Sequence, residues 1–265
     1  VKHTLAIAGR ELRSYFVSPV AYAVLSLWAV ISGFFFVALI AFYAQAQSYP
    51  DPQVLERLNL HEQILAPLLQ TMWIVMLFVV PALTMGLFAN EKTNGTQELY
   101  LTSPITIWEL VLGKYLATAA MVTLLIAVLG GYVGLLFYYG NPGPERAQTA
   151  AAIGGFWAVG LSYAAVGAFF SSLTRSQVIA FILTFVVLLI LFLVGDIAGQ
   201  ASAAAAGSNV FVEHGMAAVK WLSSAQHFEE LLSGLVNTRA LAYFAFVIGA
   251  FLVVTKTAIE SVRWR

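Results

Sequence analysis

Six long apolar runs divide the chain, at about 19–44, 67–89, 110–139, 148–172, 177–196 and 239–258, and what charge they carry lies near their ends. A helix needs about 20 apolar residues to cross the hydrocarbon of a bilayer. Water is absent there, so only helices and closed barrels can satisfy their backbone groups. The runs lack the alternation of barrel strands. The expected fold is therefore an all-α membrane protein with six transmembrane helices, one membrane domain over residues 1–265. Composition agrees. Hydrophobic residues make up 60% and charged residues 10%, against about 25% charged in soluble domains. Thirteen basic and thirteen acidic residues cancel, which gives no field for a nucleic-acid partner. Cysteine is absent, so disulfides, thiolate metal sites and a cysteine nucleophile are excluded. The first residues lack the basic, apolar, small-residue order of a cleaved leader.

Six spans place both termini on one side. The basic residues on that side are Lys2, Arg10, Arg13, Lys92, Lys114, Arg175, Lys256, Arg263 and Arg265, against Arg57, Arg146, Lys220 and Arg239 on the other. Basic residues accumulate in the cytoplasm. Both termini and the segment 90–104 are therefore expected there, in a multi-pass protein.

The polar stretches between spans are punctuated. Before the first span, Leu5, Ala8, Leu12, Tyr15 and Phe16 form an apolar stripe on a candidate interfacial helix, with Lys2, Arg10 and Arg13 on another face. Ser18-Pro19 turns it into the first span. A short helix is expected over Leu55–Leu69, ended by Pro67, and His61 reads as an ordinary polar surface residue. Pro81 and then Gly86 predict a kink near the end of the second span.

Asn94 with Gln97 predicts an N-cap for a short helix at about 95–101, and Ser103-Pro104 stops it. Thr106 with Glu109 predicts a capping box that starts the third span. The fourth span, with Gly160, Ala164, Gly167 and Ala168, reads as a buried bundle helix. The fifth is aliphatic and aromatic and faces lipid or a greasy subunit interface, and Asp196 at its end reads as solvated. Residues 197–238 hold two short apolar segments, expected to be re-entrant or interfacial helices at the outer face. His214 and His227 read as structural, because no metal-ligand spacing joins them.

The layout resembles the membrane subunits of ABC-2 type ABC transporters over essentially the whole chain. Three places carry the resemblance. Gly9-Arg10-Glu11-Leu12-Arg13-Ser14-Tyr15-Phe16 with Ser18-Pro19 resembles the family's elbow helix. Glu91–Pro104, in the form Glu-x-x-x-Gly-Thr-x-Glu-Leu-x-Leu-x-Ser-Pro, followed by Gly113-Lys114, resembles its cytoplasmic coupling helix. Leu222-Ser223-x-x-x-His227-Phe228 through Gly234, then Arg239, resembles its outer helices. Within the family the likeness is to the gliding-motility-associated, GldF-like permeases.

The resemblance implies a permease in a bacterial inner membrane, paired as a homodimer or with a close paralogue. Two cytoplasmic ABC ATPase subunits would sit below, and they, not this chain, would bind ATP and magnesium. Glu91, Gly95, Thr96, Glu98, Ser103 and Pro104 would meet the ATPase, while Arg10 and Arg13 belong to the elbow helix and His227, Phe228 and Gly234 to the outer helices. An additional membrane partner with a large outer domain also fits the gliding type.

The chain has no G-x-x-x-x-G-K-[ST] loop, since Gly113-Lys114 is followed by Tyr115 and no glycine stands five before. It is therefore not expected to hydrolyse ATP. Three functions compete: export of a lipid, glycan or polypeptide; transmission of ATP-driven motion to an outer partner without a moving substrate; and passive anchoring or assembly. An intramembrane enzyme would need convergent acids, nucleophiles or metal ligands within the spans, which the sequence does not offer.

Overall fold

A computed structural model describes residues 2–48, 59–96, 105–140, 143–204, 219, 221, 223–235 and 237–262. Among these residues the secondary structure is helical throughout. The helices are α1 (Lys2–Val17), α2 (Pro19–Gln47), α3 (Ala66–Thr84), α4 (Gly86–Thr93), α5 (Ile107–Tyr139), α6 (Arg146–Leu173), α7 (Gln177–Ala204), α8 (Ser224–Leu232) and α9 (Thr238–Val262). A π turn, His61–Leu65, leads into α3. Six stretches are long and apolar enough to cross a membrane: Pro19–Gln47, His61–Thr93, Ile107–Tyr139, Arg146–Leu173, Gln177–Gly195 and Thr238–Ser261.

Helix α6 is the centre. It packs against α3, α4, α5, α7, α8 and α9. Its small residues make this possible. A methyl group on Gly155 would meet Leu231 at 2.7 Å, one on Gly160 would meet Val122 at 2.6 Å, and one on Gly167 would meet Thr84 at 2.1 Å. Helices without a strong hydrophobic drive between them associate by such close approach. Ala164, Ala165 and Ala168 are buried beside these glycines, as the four-residue steps of small residues predict. Gly130 and Gly134 of α5 instead face open space among the described residues.

Several buried polar groups find partners across helices, which offsets the cost of their burial. Trp28 Nε1 donates to Leu125 O at 2.9 Å and the Tyr132 hydroxyl to Ala29 O at 2.9 Å, fixing α2 on α5. Trp73 Nε1 donates to the Tyr163 hydroxyl, which meets Ser224 Oγ; both separations are 3.0 Å. Ser224 Oγ also donates to Leu191 O at 3.2 Å. This chain of bonds ties α3, α6, α7 and α8 together. Phe228 on α8 is fully buried, with its ring 5.0 Å from Trp73 and 5.8 Å from Phe156.

The capping box at Thr106 forms as expected, and the turn at Ser18-Pro19 is closed by an N-cap. Val20 N donates to Ser18 Oγ with Pro19 opening α2. Thr106 and Glu109 exchange both bonds of a capping box. Three expectations need correction. Asn94 does not start a helix: it is the C-cap of α4. Gly95 follows in the left-handed conformation at φ 70°, and Thr96 N returns to Glu91 O at 3.0 Å, the closure of a Schellman ending. Pro67 does not break a short helix, because it occupies the first turn of α3, where its missing N–H costs nothing. His61 is not a surface residue: it is 1% exposed. The residues expected to form the helix at 95–101 are described only to Thr96; Asp196's side chain, the segment 205–218 with His214, and Leu222 also lie outside the described residues.

The break between α3 and α4 falls at Met85, four residues after Pro81, where the sequence predicts a kink. Of the apolar stripe expected on α1, Leu12, Tyr15 and Phe16 pack against the core and Leu5 is exposed, while Ile7, outside the stripe, is buried.

Candidate functional site

The end of the bundle that holds α1 and α4 contains the strongest electrostatic feature among the described residues. Lys114 lies two turns into α5, placed there by the Thr106–Glu109 box. An ammonium this deep in an apolar helix needs partners, because an unpaired buried charge is costly. Its side chain is 2% exposed. Lys114 Nζ lies 2.7 Å from Glu91 Oε1 on α4 and 3.3 Å from Glu11 Oε1 on α1. It also donates to Leu87 O at 2.5 Å and sits 5.2 Å from the centre of the Phe88 ring. Glu11 in turn accepts from Arg10 Nη2 at 2.8 Å. Two carboxylates and two cations therefore balance, and three helices share one ammonium.

The backbone is shaped to let this happen. Gly113 precedes Lys114, and a methyl group there would lie 2.7 Å from Ile7 Cγ2 and 2.9 Å from Thr4 O. Only glycine lets α1 lie this close to α5. One helical turn beyond Glu11, the Tyr15 hydroxyl donates to Leu83 O at 2.8 Å and meets Thr118 Oγ1 at 3.4 Å. Burial pushes the Tyr15 phenol up to about 12, opposed by the Thr118 hydrogen bond and aided by the nearby Glu11 charge. It stays protonated and remains a donor at neutral pH.

Helix α4 is held equally firmly on its other side. Ser171 Oγ accepts from Phe88 N at 3.0 Å and Ala89 N at 3.3 Å, and donates to Met85 O at 2.9 Å. Lys92 Nζ donates to Ser172 O, Thr93 Oγ1 to Arg175 O, and Gln177 Nε2 to Asn90 Oδ1. Helix α4 is thus pinned to the turn between α6 and α7, and through Lys114 to α1 and α5. A force applied just after Thr96 would reach four other helices through a rigid, capped element.

The sequence-predicted residues divide into groups. Glu91 is turned inward onto Lys114, with its side chain 14% exposed. Gly95 and Thr96 form the exit from α4. Glu98, Ser103 and Pro104 lie outside the described residues. Arg10 and Arg13 are exposed on α1. His227 and Phe228 lie on α8 and Gly234 just beyond it, at the opposite end, and they face different neighbours: His227 Nε2 lies 3.0 Å from Trp221 O and its ring stacks on Tyr243 at 4.3 Å, Phe228 packs on Trp73 and Phe156, and Gly234 abuts Gln148.

Sequence reasoning missed Glu11, Tyr15 and Lys114 as one cluster. The available signal was a lysine five residues into an apolar run, which demands an acidic partner from a neighbouring segment.

Residues 5–263 match the family described as ABC-2 family transporter protein. The chain matches no curated protein.

Proposed function

The chain belongs to the ABC-2 family of transporter proteins, and from that premise we propose that it is the permease subunit through which a separate ABC ATPase drives export. The observation that supports this most is the convergence of α1, α4 and α5 on Lys114. In this reading α1 is the elbow helix, and the segment after Thr96 is the coupling helix seated on the ATPase. Glu98, Ser103 and Pro104 make the contact, together with Gly95 and Thr96. Glu91 passes the motion inward instead of touching the ATPase, because its carboxylate is engaged by Lys114.

The remaining parts of the proposal follow from charge and exposure. The basic residues gathered at the terminal end orient it to the cytoplasm of a bacterial inner membrane. Val178, Ile182, Val186 and Ile190 leave one face of α7 exposed, which a second permease copy covers. The exported substrate is a lipid, glycan or polypeptide. Within the family, we propose the gliding-motility-associated type.

The test is co-expression with an ABC ATPase of the same operon or locus. The ATPase is expected to co-purify with the chain, and Glu98→Lys to weaken that association while membrane insertion stays normal. Failure of any ATPase to associate, or full association and activity in the Glu98→Lys variant, would remove the reading.

A further inference from the structure

Three spans end side by side at the Lys114 end of the bundle, and two cations stand where they meet. The stretch His61–Thr93 finishes just after Lys92, Arg146–Leu173 finishes just before Arg175, and Gln177–Gly195 begins just after it. Side chains lock the three ends together. Lys92 Nζ donates to Ser172 O, Thr93 Oγ1 to Arg175 O, and Gln177 Nε2 to Asn90 Oδ1. Apolar spans end together where hydrocarbon gives way to headgroups, because polar turns are excluded from the hydrocarbon itself.

The pair lacks a counter-charge. Arg175 is exposed and Lys92 half-buried, and the two are near enough to repel each other. Among the described residues no carboxylate forms an ion pair with either. Glu91, the neighbouring acid in sequence, is turned onto Lys114. Lys92 uses one of its three N–H groups on Ser172 O. Arg175 is engaged through its backbone carbonyl, and its guanidinium meets no partner among the described residues. Beside the cations Leu173 is 51% exposed and Ile179 52%, so an apolar surface adjoins the charges.

We propose that Lys92 and Arg175 together hold the phosphate of an anionic phospholipid, whose acyl chain lies along Leu173 and Ile179. The phosphate accepts from the free N–H groups of Lys92 and from the guanidinium fork of Arg175. Its charge cancels the repulsion between the two cations. A zwitterionic headgroup brings an ammonium of its own and does this less well. Depth favours a lipid over a soluble anion, because the phosphates of a bilayer stand where the spans end. The site is separate from Lys114, whose charge Glu11 and Glu91 already meet. The proposal does not rest on the ATPase reading, since the lipid is detected on this chain alone.

The test is native mass spectrometry of the full chain, titrated with dioleoyl phosphatidylglycerol and dioleoyl phosphatidylcholine. The two lipids share their tails and differ in net charge. Phosphatidylglycerol is expected to be retained roughly thirtyfold better, the scale of two basic side chains at a headgroup. Arg175→Gln is expected to lower its retention about fivefold, with no fall in melting temperature in lipid-free detergent, since a repulsion is relieved. Arg13→Gln, which removes an exposed cation of α1, is expected to leave retention unaltered. Excess inorganic phosphate is expected not to displace the lipid. Equal retention of the two lipids, undiminished retention or a lower melting temperature in Arg175→Gln, or an equal loss in Arg13→Gln would each overturn the proposal. Displacement by inorganic phosphate would overturn it too, by making the site one for the free anion. So would an Arg175→Gln variant that keeps its lipid and loses a co-expressed ATPase, which would give the pair to that protein.

Discussion

The ammonium of Lys114 reaches the carboxylate of Glu91 at 2.7 Å across the gap between α5 and α4, while its own side chain is almost wholly removed from solvent. Removing one partner of a buried pair costs about 3–5 kcal/mol, because the other charge is stranded. Lys114→Met is therefore expected to lower the melting temperature of the purified chain sharply. Adding Glu91→Gln to that variant should recover part of the loss. A melting curve unchanged by Lys114→Met would show that the cluster does not hold the helices together.

Gly113→Ala tests the close approach of α1. The added methyl group would overlap Ile7 and the carbonyl of Thr4, and α1 must move away. Limited proteolysis is expected to cut within residues 2–17 faster than in the unaltered chain. Equal cutting rates would mean that α1 tolerates the displacement.

Gly167→Ala addresses the central helix. Its methyl group would sit 2.1 Å from Thr84 Oγ1, and overpacking of this kind costs about 1–3 kcal/mol. Gly154→Ala is the control, because nothing lies within 4 Å of that position. Thermal denaturation in detergent should separate the two, with only Gly167→Ala destabilised.

Gly95→Ala places a side chain in a left-handed conformation, at a cost of about 1 kcal/mol. Gly95→Asn should be tolerated better, since asparagine adopts this conformation more readily. Hydrogen exchange over residues 90–96 should report fraying in the alanine variant and little change in the asparagine variant.

Tyr15 supplies a pH dependence. Its pKa is raised from 10.0 to about 12 in the folded chain. The stabilisation it gives is fully present below the ordinary value and lost as pH rises through about 12. Protease sensitivity of α1 should therefore increase between pH 10 and 12 in the unaltered chain. Tyr15→Phe should lack that phase and be more sensitive already at neutral pH, having lost a hydrogen bond worth about 1 kcal/mol.

The spans were legible because length and apolarity leave a membrane helix few alternatives. The Thr106 cap was legible because it is a local exchange between residues three apart. Asn94 was misread for the same reason that it looked informative. Asparagine before glycine suits either end of a helix, and only the preceding turns of α4 decide. The Lys114 cluster was hidden because Lys114 lies 103 residues from Glu11 in sequence. No local pattern encodes which apolar helix will lie against which. His61 was misread because its neighbours in sequence are polar, whereas its neighbours in space are Leu232 and the floor of a cavity.

A π turn is an α-helical turn that has accepted one residue too many. The turn at His61–Leu65 therefore makes the cavity beside His61 separable from the helix that follows it. Deleting a single residue there would restore an ordinary turn, rotate His61 by about 100° around the helix axis, and leave α3 with its membrane-crossing length. The chain can gain or lose this imidazole in one insertion or deletion, while the machinery around Lys114, at the other end of the same continuous stretch, keeps its register.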